Sequence, residues 1–200
     1  MNTSLNRGTS RIVKRTLVLA AAVAGVSAFS GQADAQSTWT GGTDSNWATA
    51  ANWDVAPTAG SDLIFTGVAP SFLPTNNNFA ANTLFGSLTF NGNYPGPLVI
   101  GGNAFRISGG ITQGNTNLVT ISPVVAMTNS ATFDVGSGGL TFAAALNRGS
   151  GGGATTLTKT GDGILRLNTA TSVATTGAID VNAGWLQLAN QLAAGNGNIN

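Results

Sequence analysis

Short runs of alternating apolar and polar residues recur along the chain, and the clearest pair lies between residues 157 and 188. The first run reads L-T-K-T-G-D-G-I-L-R-L, and the second, after a polar spacer, reads I-D-V-N-A-G-W-L-Q-L. Alternation with a period of two predicts short β-strands with one buried face, and the glycines predict tight turns. Neither run can bury its apolar face alone. The pattern therefore predicts consecutive coils of a β-solenoid in which each coil covers the next.

The spacing of apolar trios of the form L-x-[LF] predicts the length of one coil. Leu140, Leu165 and Leu186 begin such trios and are 25 and 21 residues apart. Strands of a β-sandwich follow one another about every 8–12 residues, so spacing in the low twenties favours a β-helix. Weaker coils are expected around Ile107 and Ile121.

Two longer alignments extend the repeat towards the N-terminus. The run G-S-L-T-F at 86–90 matches G-G-L-T-F at 138–142, and F-D-V at 133–135 matches I-D-V at 179–181. These matches predict that the paired runs occupy equivalent positions in different coils, because identical positions of stacked coils repeat along the axis of a solenoid.

The outward-facing residues of stacked coils are expected to form columns along the solenoid. When the middle copy is aligned from its leucine trio, one column reads Asp134, Lys159 and Asp180, with alternating charge. Alignment from Leu157 puts Thr158 in the column instead, and both alternatives remain open from the sequence. An exposed ion pair of this kind would contribute less than about 1 kcal/mol to stability.

The composition agrees with an all-β chain that carries few charges. Only 8% of the 200 residues are charged, 42% are hydrophobic, and glycine occurs 28 times. Glutamate is absent and lysine is rare, so two strong helix formers are scarce. The absence of cysteine and histidine excludes disulfides, thiol nucleophiles, histidine-based triads and most zinc sites. No cofactor and no metal site is therefore predicted.

The first 35 residues have the three-part organisation of a secretory signal peptide. Basic residues precede an apolar run from 17 to 29, and Ala33 and Ala35 form an A-x-A cleavage site before Gln36. The apolar run is shorter than the roughly 20 residues of a membrane-spanning helix, and an uncleaved anchor is the alternative. After cleavage the net charge is −2, without a basic patch. Nucleic acid is therefore not expected as a partner.

Three of the four tryptophans, Trp39, Trp47 and Trp53, lie within fifteen positions that also contain Asp44. One interpretation is an aromatic platform for sugar rings, with Asp44 binding hydroxyl groups; these four residues are then candidate glycan contacts. The preferred interpretation is an N-terminal cap. The open end of a solenoid exposes apolar core and unpaired strand edges, which large amphipathic rings can cover.

Residues 157–188 resemble the autotransporter-associated β-strand repeat of bacterial autotransporter passengers, because the pattern LTKxGxGxLxL…VNAGxLQL is nearly intact here. The resemblance covers about a sixth of the chain. It implies a right-handed parallel β-helix that is exported and often displayed at the cell surface, with the outer-membrane export machinery as a partner. Family members carry many such repeats, whereas this chain has one clear copy.

These observations together predict an all-β fold, a right-handed parallel β-helix (β-solenoid) with an N-terminal tryptophan-rich cap. Residues 1–35 are expected to form the signal peptide, 36–83 the cap and a loop, and 84–200 the solenoid coils. The expected function is that of a non-enzymatic, passenger-like structural segment of a secreted or surface protein from a Gram-negative-type bacterium. Cell-surface or extracellular polysaccharide is the candidate partner, and no small-molecule substrate is identified.

Two alternative functions follow from particular features of the sequence. The first is a carbohydrate-binding adhesin that uses the tryptophan cluster. The second is a polysaccharide-degrading β-helix enzyme, which would need acidic groups that converge in one cleft. The aspartates are scattered along the chain, and the best pair is Asp162 with Arg166. Because Asp162 stands between two glycines, a turn is the simpler interpretation of that segment.

Overall fold

The computed structural model describes residues 35–66, 71–92, 94–148, 155–169, 177–189 and 199–200. Within them the chain forms a β-solenoid of about six turns, which confirms the predicted all-β solenoid. The predicted signal peptide, 1–35, lies outside this described part except for Ala35. No helix in the described ranges is long and apolar enough to cross a membrane. A 3-10 turn spans Ala50–Asn52.

The strands in chain order are β1 (Gln36–Thr38), β2 (Asp62–Phe65), β3 (Asn76–Asn77), β4 (Thr83–Phe85), β5 (Leu88–Phe90), β6 (Leu98–Gly102), β7 (Phe105–Ile107), β8 (Ile111–Gln113), β9 (Val119–Ile121), β10 (Val125–Met127), β11 (Ala131–Val135), β12 (Leu140–Phe142), β13 (Leu146–Arg148), β14 (Leu157–Thr160), β15 (Ile164–Leu167), β16 (Ile179–Val181) and β17 (Trp185–Leu188).

Three parallel sheets form the sides of the solenoid, and from β2 to β15 the chain passes through sheet 1, sheet 2 and sheet 3 in that order. Sheet 1 contains β1, β2, β5, β8, β11, β14 and β16; sheet 2 contains β3, β6, β9, β12, β15 and β17; sheet 3 contains β4, β7, β10 and β13. Equivalent positions of sheet 1 are Leu63, Leu88, Ile111, Phe133 and Lys159, so one coil takes 22 to 26 residues.

The leucine trios lie in sheet 2, in the register that their spacing predicts. Leu140 pairs with Leu165, and Leu165 pairs with Leu186, which confirms the predicted coil length. The predicted equivalence of Leu88 with Leu140 is wrong, because Leu88 lies in sheet 1 and Leu140 in sheet 2. An alternating trio buries one face equally well on either side of a coil, so similar sequence does not identify the side.

The predicted column of alternating charge does not form on the outer surface of sheet 1. Asp180 pairs with Thr158, as in the alignment from Leu157. Lys159 pairs with Phe133 in the preceding coil and is fully buried, so it faces the interior. Lys159 in turn pairs with Val181, so Phe133 stands in register with Val181 and not with Ile179. The predicted match of F-D-V at 133–135 with I-D-V at 179–181 is therefore wrong by two residues.

Residues before position 84 also contribute strands to the three sheets. β1 pairs with β2, and β2 pairs with β5, so sheet 1 extends back to Gln36. The segment 36–83, which the sequence assigns to the cap and a loop, also contains the two-residue strand β3. Ile107 and Ile121, around which weaker coils are expected, both lie in strands, the first in sheet 3 and the second in sheet 2.

The inward-facing side chains of the three sheets form one apolar core. Stacked phenylalanines repeat within it: the ring centroids of Phe65 and Phe90 are 5.0 Å apart with an interplanar angle of 11°. In the last described coil, Leu186 and Leu188 of β17 are only partly buried, although they stand in register with buried leucines. Their apolar faces are incompletely covered because no described strand pairs with the outer edge of β17.

Candidate functional site

The three clustered tryptophans are buried, and each indole N–H donates to a backbone carbonyl oxygen. The exposed fraction is 2% for Trp39, 0% for Trp47 and 5% for Trp53. The three Nε1 atoms donate to the carbonyls of Phe72, Pro74 and Trp47, over 2.9, 3.0 and 2.7 Å respectively. A sugar ring stacks on an exposed aromatic face. In this conformation the three rings therefore offer no stacking face to a glycan.

The rings instead pack against the phenylalanines of the first coils. The Trp47 ring lies 5.1 Å from Phe65, 6.0 Å from Phe85 and 5.8 Å from Phe105. Trp39 and Trp53 meet edge to face at 5.0 Å, an arrangement that aromatic quadrupoles favour. These contacts attach the N-terminal segment of the described chain to the solenoid.

Asp44 and Asn52 hold the loop between the tryptophans together. The Asp44 carboxylate accepts hydrogen bonds from the backbone N–H of Asn46 and from the side chains of Asn46, Thr49 and Asn52. The amide of Asn52 accepts from the backbone N–H groups of Thr43 and Asp44 and donates to the Asn46 carbonyl. Asn52 is fully buried, so this network satisfies a polar group that would otherwise destabilise the fold.

The contacts of Asp44 make it a structural residue in this conformation. The backbone N–H of Asn46 is the largest contribution that lowers the pKa of Asp44, and side-chain donors add to it against the effect of burial. An ionised carboxylate has about four acceptor positions, and four protein donors contact this one. The predicted role of Asp44 in binding sugar hydroxyls would require some of these bonds to break.

Lys159 places a charged group inside the solenoid, at the corner between sheet 1 and sheet 2. Its Nζ donates to the carbonyl oxygens of Thr160 at 2.5 Å, Gly161 at 2.6 Å and Ala183 at 3.1 Å. Burial lowers the pKa of Lys159, and the carboxylates of Asp134 and Asp162 oppose that shift. All three N–H groups of the ammonium have acceptors, so Lys159 stabilises the corner.

Gln113 stabilises the corresponding corner two coils earlier, also by donating to backbone carbonyls. Its side chain is fully buried, and Nε2 donates to the carbonyl oxygens of Asn115 at 3.0 Å and Asn117 at 2.9 Å, at the corresponding corner. At both positions an inward-facing residue of sheet 1 supplies the donor that converging corner carbonyls need. The alternating pattern of the sequence does not identify this role, because it treats both residues as interruptions of an apolar stripe.

Asp162 and Arg166, the best acidic–basic pair of the sequence, lie in a turn and on the following strand. Asp162 is exposed in the turn between β14 and β15, and these two described residues form no ion pair with each other. Arg166 lies on the outer face of sheet 2. In the described part of the chain, no three acidic side chains lie close enough together to hold a metal ion.

The fourth tryptophan, Trp185, is 72% exposed, and sequence reasoning did not treat it as a site. Alternation along β17 puts its side chain on the outer face, since Leu186 and Leu188 face inward. The alternation of inward and outward residues along β17 is the sequence signal that could have identified Trp185 as an exposed residue. We name the surrounding surface the Trp185 face; its residues are Leu118, Ile164, Arg166, Trp185 and Gln187.

The Trp185 face combines an apolar column with a polar column. Trp185 stands opposite Ile164 in the neighbouring coil, and Gln187 stands opposite Arg166. Nε of Arg166 donates to Oε1 of Gln187 over 2.9 Å. Adjacent strands are about 4.8 Å apart and alternate residues about 6.6 Å apart along a strand, so the indole and the guanidinium can contact one bound group.

Comparison with known proteins yields no relative of this chain. No protein-family model matches it, and neither a curated protein nor a solved structure is significantly similar to it. The resemblance of residues 157–188 to the autotransporter-associated repeat therefore stays a prediction that rests on the motif itself.

Proposed function

We propose that this chain is a non-enzymatic structural β-solenoid, a passenger-like segment of an exported bacterial protein. The observation that carries the proposal is the solenoid of about six turns, in which residues 157–188 provide the last four described strands. Buried polar side chains such as Gln113 and Lys159 donate to backbone carbonyls, so their chemistry is used to stabilise coils. The autotransporter-like motif thus supports an architectural role.

Export is the second part of the proposal, and the N-terminal sequence supports it. Basic residues, an apolar run and an A-x-A site precede Gln36, where a mature chain would begin. Expression of the full chain in a Gram-negative host should yield a product outside the cytoplasm whose first residue is Gln36. The variant Ala35→Arg, with a large residue at the cleavage site, should accumulate unprocessed. An intact N-terminus on a wholly cytoplasmic product would contradict export.

The proposal includes a capping role for the tryptophan-rich segment. Its support is the packing of Trp47 on three phenylalanines and the position of β1 as the first strand of sheet 1. Truncation of a fully buried tryptophan leaves a large cavity. Trp47→Ala should therefore lower the free energy of unfolding by about 3–5 kcal/mol. A stability change below about 1 kcal/mol in urea denaturation would contradict the cap.

A further inference from the structure

We propose that the Trp185 face binds an extended acidic polysaccharide built of uronic acid units, which lies along sheet 2 in the direction of the solenoid axis. The inference adds a ligand to the proposed function, and it rests on that function only for the compartment where the ligand is encountered. The features that favour this ligand are one exposed ring, one guanidinium and the distribution of charge over the described strands.

The apolar column of the face supplies a stacking surface. Trp185 is 72% exposed and continues a column through Ile164 of the preceding coil. An indole combines a large apolar ring with a polar edge, which suits the C–H face of a pyranose. Successive coils rise by about 4.8 Å, a distance comparable to the length of one sugar ring. An extended polysaccharide can therefore place neighbouring sugars over neighbouring coils.

The polar column supplies groups for a carboxylate and for hydroxyls. The hydrogen bond to Gln187 uses Nε of Arg166 and so fixes the orientation of the guanidinium. One terminal nitrogen of Arg166 lies 3.3 Å from the point where a Cβ on Gly139 would stand, so the side chain extends across the face over a position without a side chain. A guanidinium held in this way can bind a carboxylate through two parallel hydrogen bonds.

The distribution of charge disfavours an acidic ligand on sheet 1. The strands of sheet 1 carry three aspartates, Asp62, Asp134 and Asp180, while their single cation, Lys159, is buried in the interior. Arg166 is the one charged residue in the described strands of sheet 2, and sheet 3 also carries arginines, in β7 and β13. Charge therefore directs a polyanion away from sheet 1. The exposed ring of Trp185 beside Arg166 is the feature that favours sheet 2.

The test measures binding of the purified protein to polygalacturonate, with dextran as the neutral control, by isothermal titration calorimetry. We expect wild-type protein to bind polygalacturonate in preference to dextran, and the affinity to fall as sodium chloride is raised. Trp185→Ala and Arg166→Gln should each raise the dissociation constant about tenfold or more. Thr112→Ala, which alters an exposed residue of sheet 1, is the matched control and should leave binding unchanged.

Several results would overturn the inference. They are the absence of polygalacturonate binding by folded wild-type protein, equal binding of dextran, and unchanged affinity in both variants. Sedimentation velocity tests a second copy of the chain as the occupant: self-association that Trp185→Ala abolishes, without polysaccharide binding, would also overturn it. Arg166→Lys, which keeps the charge and loses the paired donors, should bind with intermediate affinity. Because purified protein is used, failure here leaves the export proposal untouched, and a cytoplasmic location leaves binding untouched.

Discussion

The ammonium nitrogen of Lys159 lies 3.1 Å from the carbonyl oxygen of Ala183 in the following coil, while it also contacts the carbonyls of Thr160 and Gly161 in its own coil. One buried cation thus joins two turns of the solenoid through their backbones. Desolvation of a charge disfavours such an arrangement, and three acceptors offset that cost. Substitution of Lys159 would remove this donor and leave the three backbone carbonyls in place.

We expect Lys159→Met to destabilise the protein by about 1–3 kcal/mol, because the substitution leaves buried carbonyl oxygens without a donor. Urea denaturation measures the change. Leu165→Met is the matched control: it also introduces a core methionine but leaves no polar group unpaired, and should cost less than about 1.5 kcal/mol. Equal stability of Lys159→Met and wild type would show that the corner carbonyls need no cation.

The lowered pKa of Lys159 also predicts a pH dependence. The folded chain releases this proton more readily than the unfolded chain, whose lysine pKa is about 10.4. The unfolded state therefore binds more protons between the folded pKa and about 10.4, and the Lys159 contribution to stability becomes more favourable as pH rises through that window. The stability difference between wild type and Lys159→Met should grow as pH rises towards about 10.4. A difference that stays constant with pH would contradict a lowered pKa of Lys159.

Asn52→Asp should destabilise the tryptophan-rich segment by roughly 2 kcal/mol at neutral pH, since the new carboxylate loses both amide donors of a buried residue. It also faces the Asp44 carboxylate, which the amide Nδ2 contacts at 2.7 Å in the wild type. Protonation of either carboxyl restores a donor, so the loss of stability relative to wild type should be smaller at pH about 3 than at pH about 7. Thermal unfolding at both pH values measures it; a larger loss in acid would contradict the network.

Gly184→Ala should cost at least about 1–2 kcal/mol, because Gly184 has a φ of +70° that L-residues rarely adopt. A Cβ there would also lie 2.5 Å from the Gly163 carbonyl oxygen in the neighbouring coil. The matched control is Gly96→Ala, where an added Cβ meets nothing within 4 Å and the change should stay below about 1 kcal/mol. Similar urea midpoints for the two variants would disprove close stacking at this corner.

Tyr94→Phe should leave stability at neutral pH unchanged or raise it by about 1 kcal/mol, because the buried hydroxyl has no partner among the described residues. Burial raises the pKa of Tyr94, so in alkaline solution the unfolded chain loses this proton first. The wild type should therefore lose stability as pH rises above the unfolded tyrosine pKa of about 10, and Tyr94→Phe should lose less. Tyr94 is the single tyrosine, so tyrosinate absorbance reports it alone. Ionisation at the ordinary pKa would contradict its burial.

Much of the architecture follows from local pattern. Alternation predicted short strands, and the spacing of Leu140, Leu165 and Leu186 predicted both the coil length and the register of sheet 2. The absence of cysteine and histidine excluded several kinds of chemistry before any geometry was known. These conclusions hold because strand periodicity and residue chemistry are properties of short segments and do not depend on long-range contacts.

The tertiary structure decided which face of each segment is inside and what it contacts there. Alternation places residues on two faces, but turn lengths and stacking determine the side of the coil, as the different sheets of Leu88 and Leu140 show. The Lys159 side chain faces the interior, where backbone carbonyls of two coils accept hydrogen bonds from its ammonium group. Trp47 is buried against rings up to 58 positions away, whereas Trp185 is exposed. Such long-range contacts are not encoded in the local pattern, and only they show that the N-terminal tryptophans are buried while Trp185 is exposed.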